Sequence, residues 1–230
     1  MTRIAQIKLN LQEIAGRAEK RNTMFYKTGP GQYAEHDRFM GVTVPTLRKI
    51  AKEYDELSLA EIQLLLDSSF NEERFLALVI LINLYKRADT VTRDQLYQFY
   101  LDNLGRVNNW NLVDLSAHEI IGAQLLDTNK SLLVTLASSE IMWERRIAIV
   151  ATWQFIRKHN LVWTFKIAEM LINDQHDLIH KATGWMLREA GKKDEAQLRC
   201  FLNQYRAEMP RTMLRYAIEK FSLEERKAYL

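Results

Sequence analysis

Five polar residues recur along the chain at an almost regular interval. They are Arg74, Asp114, Arg146, Lys181 and Arg211, separated by 40, 32, 35 and 30 residues. Each stands near the start of an apolar segment with helical spacing, and intervals of this length are typical of stacked helix-pair repeats. Such a stack places equivalent residues on one concave surface, where these proteins bind extended ligands. Because only one of the five is acidic, the pattern predicts a basic groove that contains one carboxylate and binds a polyanion.

Apolar periodicity predicts helices along nearly the whole chain. Ser58 with Glu61 forms a capping-box pattern, and Pro45 suits the first turn of a helix. Residues 27–38 interrupt the periodicity with two glycines and a proline, so we expect a loop there. Without a strand or linker signal, the predicted fold class is all-α, an α-solenoid of tandem helix-pair repeats in one domain, 1–230. We expect helices at 4–14, 45–54, 58–66, 71–85, 92–104, 111–126, 130–137, 142–159, 163–172, 177–190, 195–207 and 211–221.

The net charge is a mild +3, and it is unevenly distributed. Residues 141–230 carry 16 Lys and Arg against 11 Asp and Glu, an excess that favours nucleic acid as the partner of this part. Cys200 is the one cysteine, which excludes an internal disulfide and fits a reducing compartment. The most apolar run, residues 75–82, is too short to cross a bilayer, and no signal peptide is recognisable. We therefore expect a cytoplasmic protein without a membrane partner.

The segment from Asn108 to Asp114 combines an indole with a carboxylate. Trp110 and Asp114 are four residues apart, so on a helix they lie one turn apart on the same face. Such a pair could stack on a sugar or base while the carboxylate meets a cationic centre. An alternative is that Asn111 caps the helix and Asp114 is its partner in an acidic capping box. The spacing leaves both interpretations open.

Two further segments place basic residues beside tryptophans. In the first, Trp143 precedes Arg145 and Arg146, which point about 100° apart on a helix, so one faces the groove and the other solvent. Arginine suits phosphate because its planar fork makes paired hydrogen bonds, although a surface ion pair is the alternative. In the second, Lys181 lies one turn before Trp185, a tryptophan that could equally belong to the core.

The last basic segment begins at Arg211, which shares a helix face with Arg215. This spacing suits a row of phosphate contacts, although solvated helix charges look the same. Small residues also follow the recurring polar positions and would let neighbouring helices approach closely. They are Ala77, Ala117, Ala148 and Gly184.

Metal binding is not predicted. The pair His118 and Glu119 matches the start of the zinc-protease motif His-Glu-x-x-His. Gly122, however, stands where the second histidine ligand would be. His176 and His180 are four residues apart and come close to the same motif, and they are expected to flank a helix start.

The chain resembles the bacterial DNA alkylation repair family of HEAT-like repeat glycosylases, the AlkD-like alkylpurine DNA glycosylases. The likeness runs from residues 39–48 to 215–216, and its most specific parts are 110–114, 143–146 and 184–189. It implies an active site made of Trp110, Asp114, Arg146 and Trp185. Asn111 departs from the family pattern, where many relatives have aspartate.

The resemblance implies hydrolysis of the N-glycosidic bond of cationic N3- or N7-alkylated purines, without a cofactor or a metal. The partner would be double-stranded DNA containing alkylated bases, bound by a monomer through its backbone. A non-catalytic helical-repeat module that binds structured DNA or a protein is the alternative. Residues expected to contact the DNA backbone are Arg145, Lys181, Arg188, Arg211 and Arg215.

Overall fold

The computed structural model describes residues 1–15 and 26–230. These residues form helices and no strand, apart from one isolated bridge between Arg38 and Phe70. The predicted all-α fold class of paired helices is therefore confirmed. The chain divides into two compact units, residues 1–116 and 117–230.

The first unit is built around one helix that is buried on all sides. This helix, α4, carries the apolar run 75–82, every residue of which is buried, and it packs against α2, α3 and α5. The run that was too short for a membrane is thus the core of this unit. The helices are α1 (Arg3–Ile14), α2 (Val44–Glu53), α3 (Leu59–Leu66), α4 (Asn71–Arg87), α5 (Thr90–Asp102) and α6 (Trp110–Ala117), with a 3₁₀ turn at Leu104–Arg106.

The second unit begins with a π-helical turn, His118–Gly122, that continues directly from α6. Its longest helix, α11, contacts α8, α12 and α13 and forms the centre of the unit. The helices are α7 (Ser131–Ala137), α8 (Met142–Ala151), α9 (Trp153–Arg157), α10 (Val162–Met170), α11 (Asp177–Gly191), α12 (Glu195–Tyr205), α13 (Arg211–Ala217) and α14 (Leu223–Tyr229).

Local capping explains several helix ends. The capping box predicted from Ser58 and Glu61 is present at the start of α3. Asp89 accepts a hydrogen bond from the Thr92 backbone N–H at 2.8 Å, so α5 begins two residues earlier than expected. The helix expected over 211–221 ends early, at Ala217, and Ser222 begins a second capping box and a separate helix, α14.

Two long predicted helices are interrupted. The helix expected over 142–159 breaks at Thr152, whose hydroxyl donates to the Ile149 carbonyl at 2.7 Å and competes with the regular helical bond. The helix expected over 111–126 changes to the π form at His118, and such π turns are often found at functional sites. Hydrophobic periodicity continues through both interruptions, which is why the sequence did not reveal them.

Close helix approaches occur where small residues were expected. Ala77, Ala117 and Ala148 are fully buried. A Cβ on Gly184 would lie under 3.0 Å from the Met213 carbonyl oxygen, closer than a Cβ approaches another heavy atom. The contact between α11 and α13 therefore requires glycine at this position.

Candidate active site

The first candidate group lies at the start of α6. The Asn109 carbonyl accepts hydrogen bonds from the backbone N–H of Leu112 and of Val113, so the helix begins at Trp110 and Asn109 is its N-cap. Asp114 consequently lies in the second turn, beyond the N3 position. The capping-box interpretation of Asn111 with Asp114 was wrong. Trp110 and Asp114 are each half-buried, one turn apart.

The indole of Trp110 is supported by a stack of aromatic rings. Tyr26 stacks on Trp110 with ring centroids 5.1 Å apart, and it also stacks on the buried Phe39 with centroids 4.5 Å apart. Burial, with the negative charges of Glu72 and Asp37 nearby, raises the pKa of Tyr26 to about 12. The phenol therefore stays protonated at neutral pH, and the stack offers Trp110 a fixed, uncharged support.

A buried polar network anchors the residues on both sides of Trp110. The carboxylate of Asp37 accepts hydrogen bonds from the side-chain amides of Asn71 at 3.0 Å and Asn109 at 2.6 Å. Asn71 and Asn111 exchange amide hydrogen bonds of 2.7 and 3.3 Å. The loop that carries Asp37 is thereby tied to α4 and to the start of α6.

Arg74, the first of the recurring polar residues, belongs to this network. It forms a buried ion pair with Asp37 and donates to the Ser68 carbonyl at 2.8 Å. Its charge is paired with the buried Asp37 carboxylate, so it supports the loop rather than a ligand. A single buried carboxylate that accepts from Arg74 and two amides is well compensated for its lost hydration.

A second carboxylate holds the same loop from α4. Oε1 of Glu72 accepts hydrogen bonds from the backbone N–H of Met40 at 3.0 Å and of Gly41 at 2.9 Å. Gly41 has a φ of +82°, a left-handed conformation that favours glycine. Burial raises the pKa of Glu72, although the two backbone hydrogen bonds oppose that shift.

The second candidate group lies in the second unit, where α8 meets the start of α11. Arg146 is buried and donates to the Leu178 carbonyl at 2.5 Å. Arg145 makes a 2.6 Å ion pair with Asp174, whose side chain is 4% exposed, and donates to the carbonyls of Ser139 and Glu140. The two arginines do point to different partners, but Arg145 anchors a turn instead of facing open solvent.

Trp185 belongs to a row of three aromatic rings in the same unit. It meets Trp153 edge to face, with centroids 5.2 Å apart and planes inclined by 61°. The buried ring of His118 also packs on Trp153, with ring centroids 4.6 Å apart. Trp185 is half-buried, so one part of it packs and another part stays accessible. Sequence reasoning missed Trp153, because one tryptophan in an apolar segment gives no signal of its own.

The expected DNA contacts differ in how strongly they are paired. Lys181 forms a 2.6 Å ion pair with Asp177, and Arg188 bonds Glu189 and Glu219. Arg211 and Arg215 are exposed on α13, and neither forms an ion pair with any residue in the described ranges. Of the five expected contacts, these two are therefore the most available to an external phosphate.

The histidines near the start of α11 have local roles. Nδ1 of His176 accepts from the Leu178 backbone N–H at 3.2 Å, and Nε2 of His180 bonds the Asp174 carbonyl at 2.5 Å. Burial lowers the pKa of His176 despite the acidic side chains nearby. Within residues 1–15 and 26–230, no three His, Cys, Asp or Glu side chains are grouped in a way that could hold a metal ion.

The fold and these groups define an all-α helical-repeat protein whose tryptophans stand beside charged residues. A sequence profile of the DNA alkylation repair enzyme family matches residues 7–221. The chain belongs to this family, which implies DNA as its substrate and a role in the repair of alkylation damage.

A solved structure supports the fold independently. It is described as a predicted DNA alkylation repair enzyme from Enterococcus faecalis, and it aligns with a TM-score of 0.70 at 15% identity over 90% of this chain and 95% of that one. At this identity the likeness concerns the fold alone. Comparison with curated proteins gives no match. Among the described helices, none has both the length and the hydrophobicity that a bilayer span requires.

Proposed function

We propose that this chain is a DNA glycosylase that removes cationic N3- and N7-alkylated purines, such as 3-methyladenine and 7-methylguanine, from double-stranded DNA. The bond between C1′ of the deoxyribose and the purine nitrogen breaks. Water supplies the new oxygen on C1′ and releases a proton to solvent, leaving an abasic site and a free base. Alkylation already gives the purine a positive charge, so it departs as a neutral molecule and needs no general acid.

The barrier then lies in the sugar, which becomes an oxocarbenium-like cation as its bond to the base breaks. A fixed negative charge beside the sugar stabilises the transition state, in which positive charge has moved onto the sugar, more than the ground state, in which that charge lies on the purine; this difference is the condition for catalysis. Asp114 takes this role and also orients the attacking water. Trp110 and Trp185 each pack against backbone sugars, and Arg146 binds a phosphate.

The observation that carries this proposal is the position of Asp114 in α6. It stands in the second turn, past the capping positions, and one turn after a tryptophan that is itself held by Tyr26. A carboxylate that only stabilised the helix end would belong in the first turn. Its placement beside an indole instead suits a sugar ring on the aromatic face and a cationic carbon near the carboxylate.

The outer basic residues differ in whether a carboxylate pairs with them in the free protein. Arg211 and Arg215 are exposed and bind phosphates directly. Lys181 exchanges its partner Asp177 for phosphate, a small loss because exposed ion pairs contribute little. Arg145 and Arg188 are held by carboxylates and act through the geometry of the turns they anchor.

The test is the release of free base from methylated duplex DNA under single-turnover conditions. Asp114→Asn keeps the size and polarity of the side chain but removes its charge, and it should lower the rate about a hundredfold to a thousandfold. Asp127→Asn, at an exposed carboxylate, is the matched control and should match the wild type. Wild-type protein that binds the DNA but frees no base would favour the non-catalytic module.

A further inference from the structure

The row formed by His118, Trp153 and Trp185 connects three separate segments of the second unit. His118 lies in the π-helical turn, Trp153 is the first residue of α9, and Trp185 lies in the middle of α11. Trp153 is the shared ring, since it contacts both His118 and Trp185. Its position therefore depends on how the π turn meets the junction between α8 and α9.

Glycine makes that junction possible. A Cβ on Gly122 would lie under 3.0 Å from the Ala151 carbonyl oxygen and from Cβ of Gln154. The π turn consequently packs directly on the break at Thr152, where α8 ends and α9 begins. This close approach sets the buried His118 ring against Trp153 and restricts the space in which the Trp153 indole can turn.

Trp185 is fixed from two directions. Its neighbour Gly184 seats α11 tightly against α13, because a Cβ there would collide with the Met213 carbonyl and with Cβ of Tyr216. That contact fixes the rotation of α11 about its own axis. The remaining freedom of Trp185 is rotation of its indole about the side-chain bonds, and the edge-to-face contact with Trp153 limits that rotation.

We infer that Trp153 is a positioning residue that sets the orientation of the Trp185 indole for its contact with DNA sugar. The inference rests on the proposed function, in which Trp185 packs against the backbone at the lesion. An indole that rotates freely would present its face only part of the time, and the sugar would be held less often in the reactive geometry. Trp153 acts only through Trp185 and makes no contact with the reacting atoms itself.

The functional experiment compares Trp153→Ala, Trp153→Phe and Trp163→Phe in single-turnover base release. Trp153→Ala should lower the rate at saturating enzyme about tenfold, with little change in the half-saturating concentration. Trp153→Phe keeps a flat ring and should restore most of the rate. Trp163 is a half-buried tryptophan of α10 that contacts Lys166, so its variant controls for loss of an indole elsewhere in the unit.

A double variant tests whether the effect passes through Trp185. In a Trp185→Ala background, Trp153→Ala should cause no further loss of rate, because no indole remains to be oriented. Losses that multiply in the double variant would overturn the inference. So would a Trp153→Ala protein as active as Trp163→Phe.

A second measurement, independent of activity, uses ¹⁹F NMR of protein labelled with 5-fluorotryptophan. The chain has five tryptophans, so the spectrum has five resonances, which are assigned by substituting the tryptophans one at a time. The Trp185 signal should be single and narrow in wild type and Trp153→Phe, and broadened or split in Trp153→Ala. An unchanged, narrow Trp185 line in Trp153→Ala would overturn the inference. Wild-type protein that releases no base would overturn the proposed function alone, because the NMR comparison still decides whether Trp153 orients Trp185.

Discussion

Tyr26 lies flat against Trp110, with ring planes inclined by 15° and centroids 5.1 Å apart. The pair joins the segment before α2 to the first residue of α6, two parts of the chain that are far apart in sequence. Because Tyr26 also stacks on the buried Phe39, the phenol ring cannot move away from the indole without losing that second contact. The Trp110 indole thus packs on Tyr26 while its side chain remains half-exposed.

Tyr26→Leu should lower the rate of base release about tenfold, because the indole of Trp110 loses the flat surface that orients it. Tyr26→Phe should stay near the wild-type rate, since the contact is made by the ring and not by the hydroxyl. Single-turnover base release is the measurement. Tyr229→Leu, which removes a phenol that packs on Phe221, is the control. Equal rates for Tyr26→Leu and this control would contradict the orienting role.

Arg74→Ala should destabilise the protein by about 3–5 kcal/mol, because it leaves the buried carboxylate of Asp37 without its cationic partner. Arg87→Ala is the matched control, since Arg87 pairs with Asp55 on the surface, where both side chains are more than a third exposed. That loss should be about 0–1 kcal/mol. The free energy of unfolding in urea measures both, and similar values would refute a stabilising role for the buried pair.

Glu72→Gln should change how stability depends on pH. Burial raises the pKa of Glu72 in the folded protein above its ordinary 4.5, so the folded state holds this proton more tightly than the unfolded state. The resulting stabilisation is complete below pH 4.5 and is lost as pH rises through the raised value. Relative to Glu72→Gln, whose amide oxygen still accepts from Met40 and Gly41, wild type should lose stability over that range.

Glu61 provides the control of opposite sign. Hydrogen bonds from the backbone and hydroxyl of Ser58 lower the pKa of Glu61, so its stabilisation is present above pH 4.5 and is lost on acidification. Urea unfolding across a pH series should therefore show differences of opposite slope for Glu72→Gln and Glu61→Gln. Parallel slopes would mean that the buried position of Glu72 has no effect on its ionisation.

Gly184→Ala should destabilise the second unit by about 1–3 kcal/mol, because the added methyl group overlaps the Met213 carbonyl and forces α11 away from α13. Gly105→Ala is the control, since a Cβ on Gly105 would meet nothing within 4 Å. It should leave stability unchanged or slightly raised. Thermal unfolding distinguishes the two, and a harmless Gly184→Ala would show that the two helices can separate at little cost.

The sequence predicted those features that depend on neighbouring residues. The capping box at Ser58 and the buried run of α4 are local patterns, and both are present. The support for Trp110 was not predictable, because Asp37 reaches Asn109 across 72 residues and neither position has a periodic signal. Trp153 was missed for the same reason. Its partners come from segments that only the folded chain brings to it.

Arg146→Ala should weaken DNA binding and reduce the slope of log K against log salt by about 0.9, because one phosphate contact is lost. Arg146→Lys keeps the charge and should keep the slope, although it lacks the planar fork of arginine. Arg146 also donates to the Leu178 carbonyl, so a purely structural role is the competing explanation. In that case both variants would lower stability and leave the slope unchanged. Arg157→Ala, at an exposed arginine of α9, controls for the loss of one positive charge.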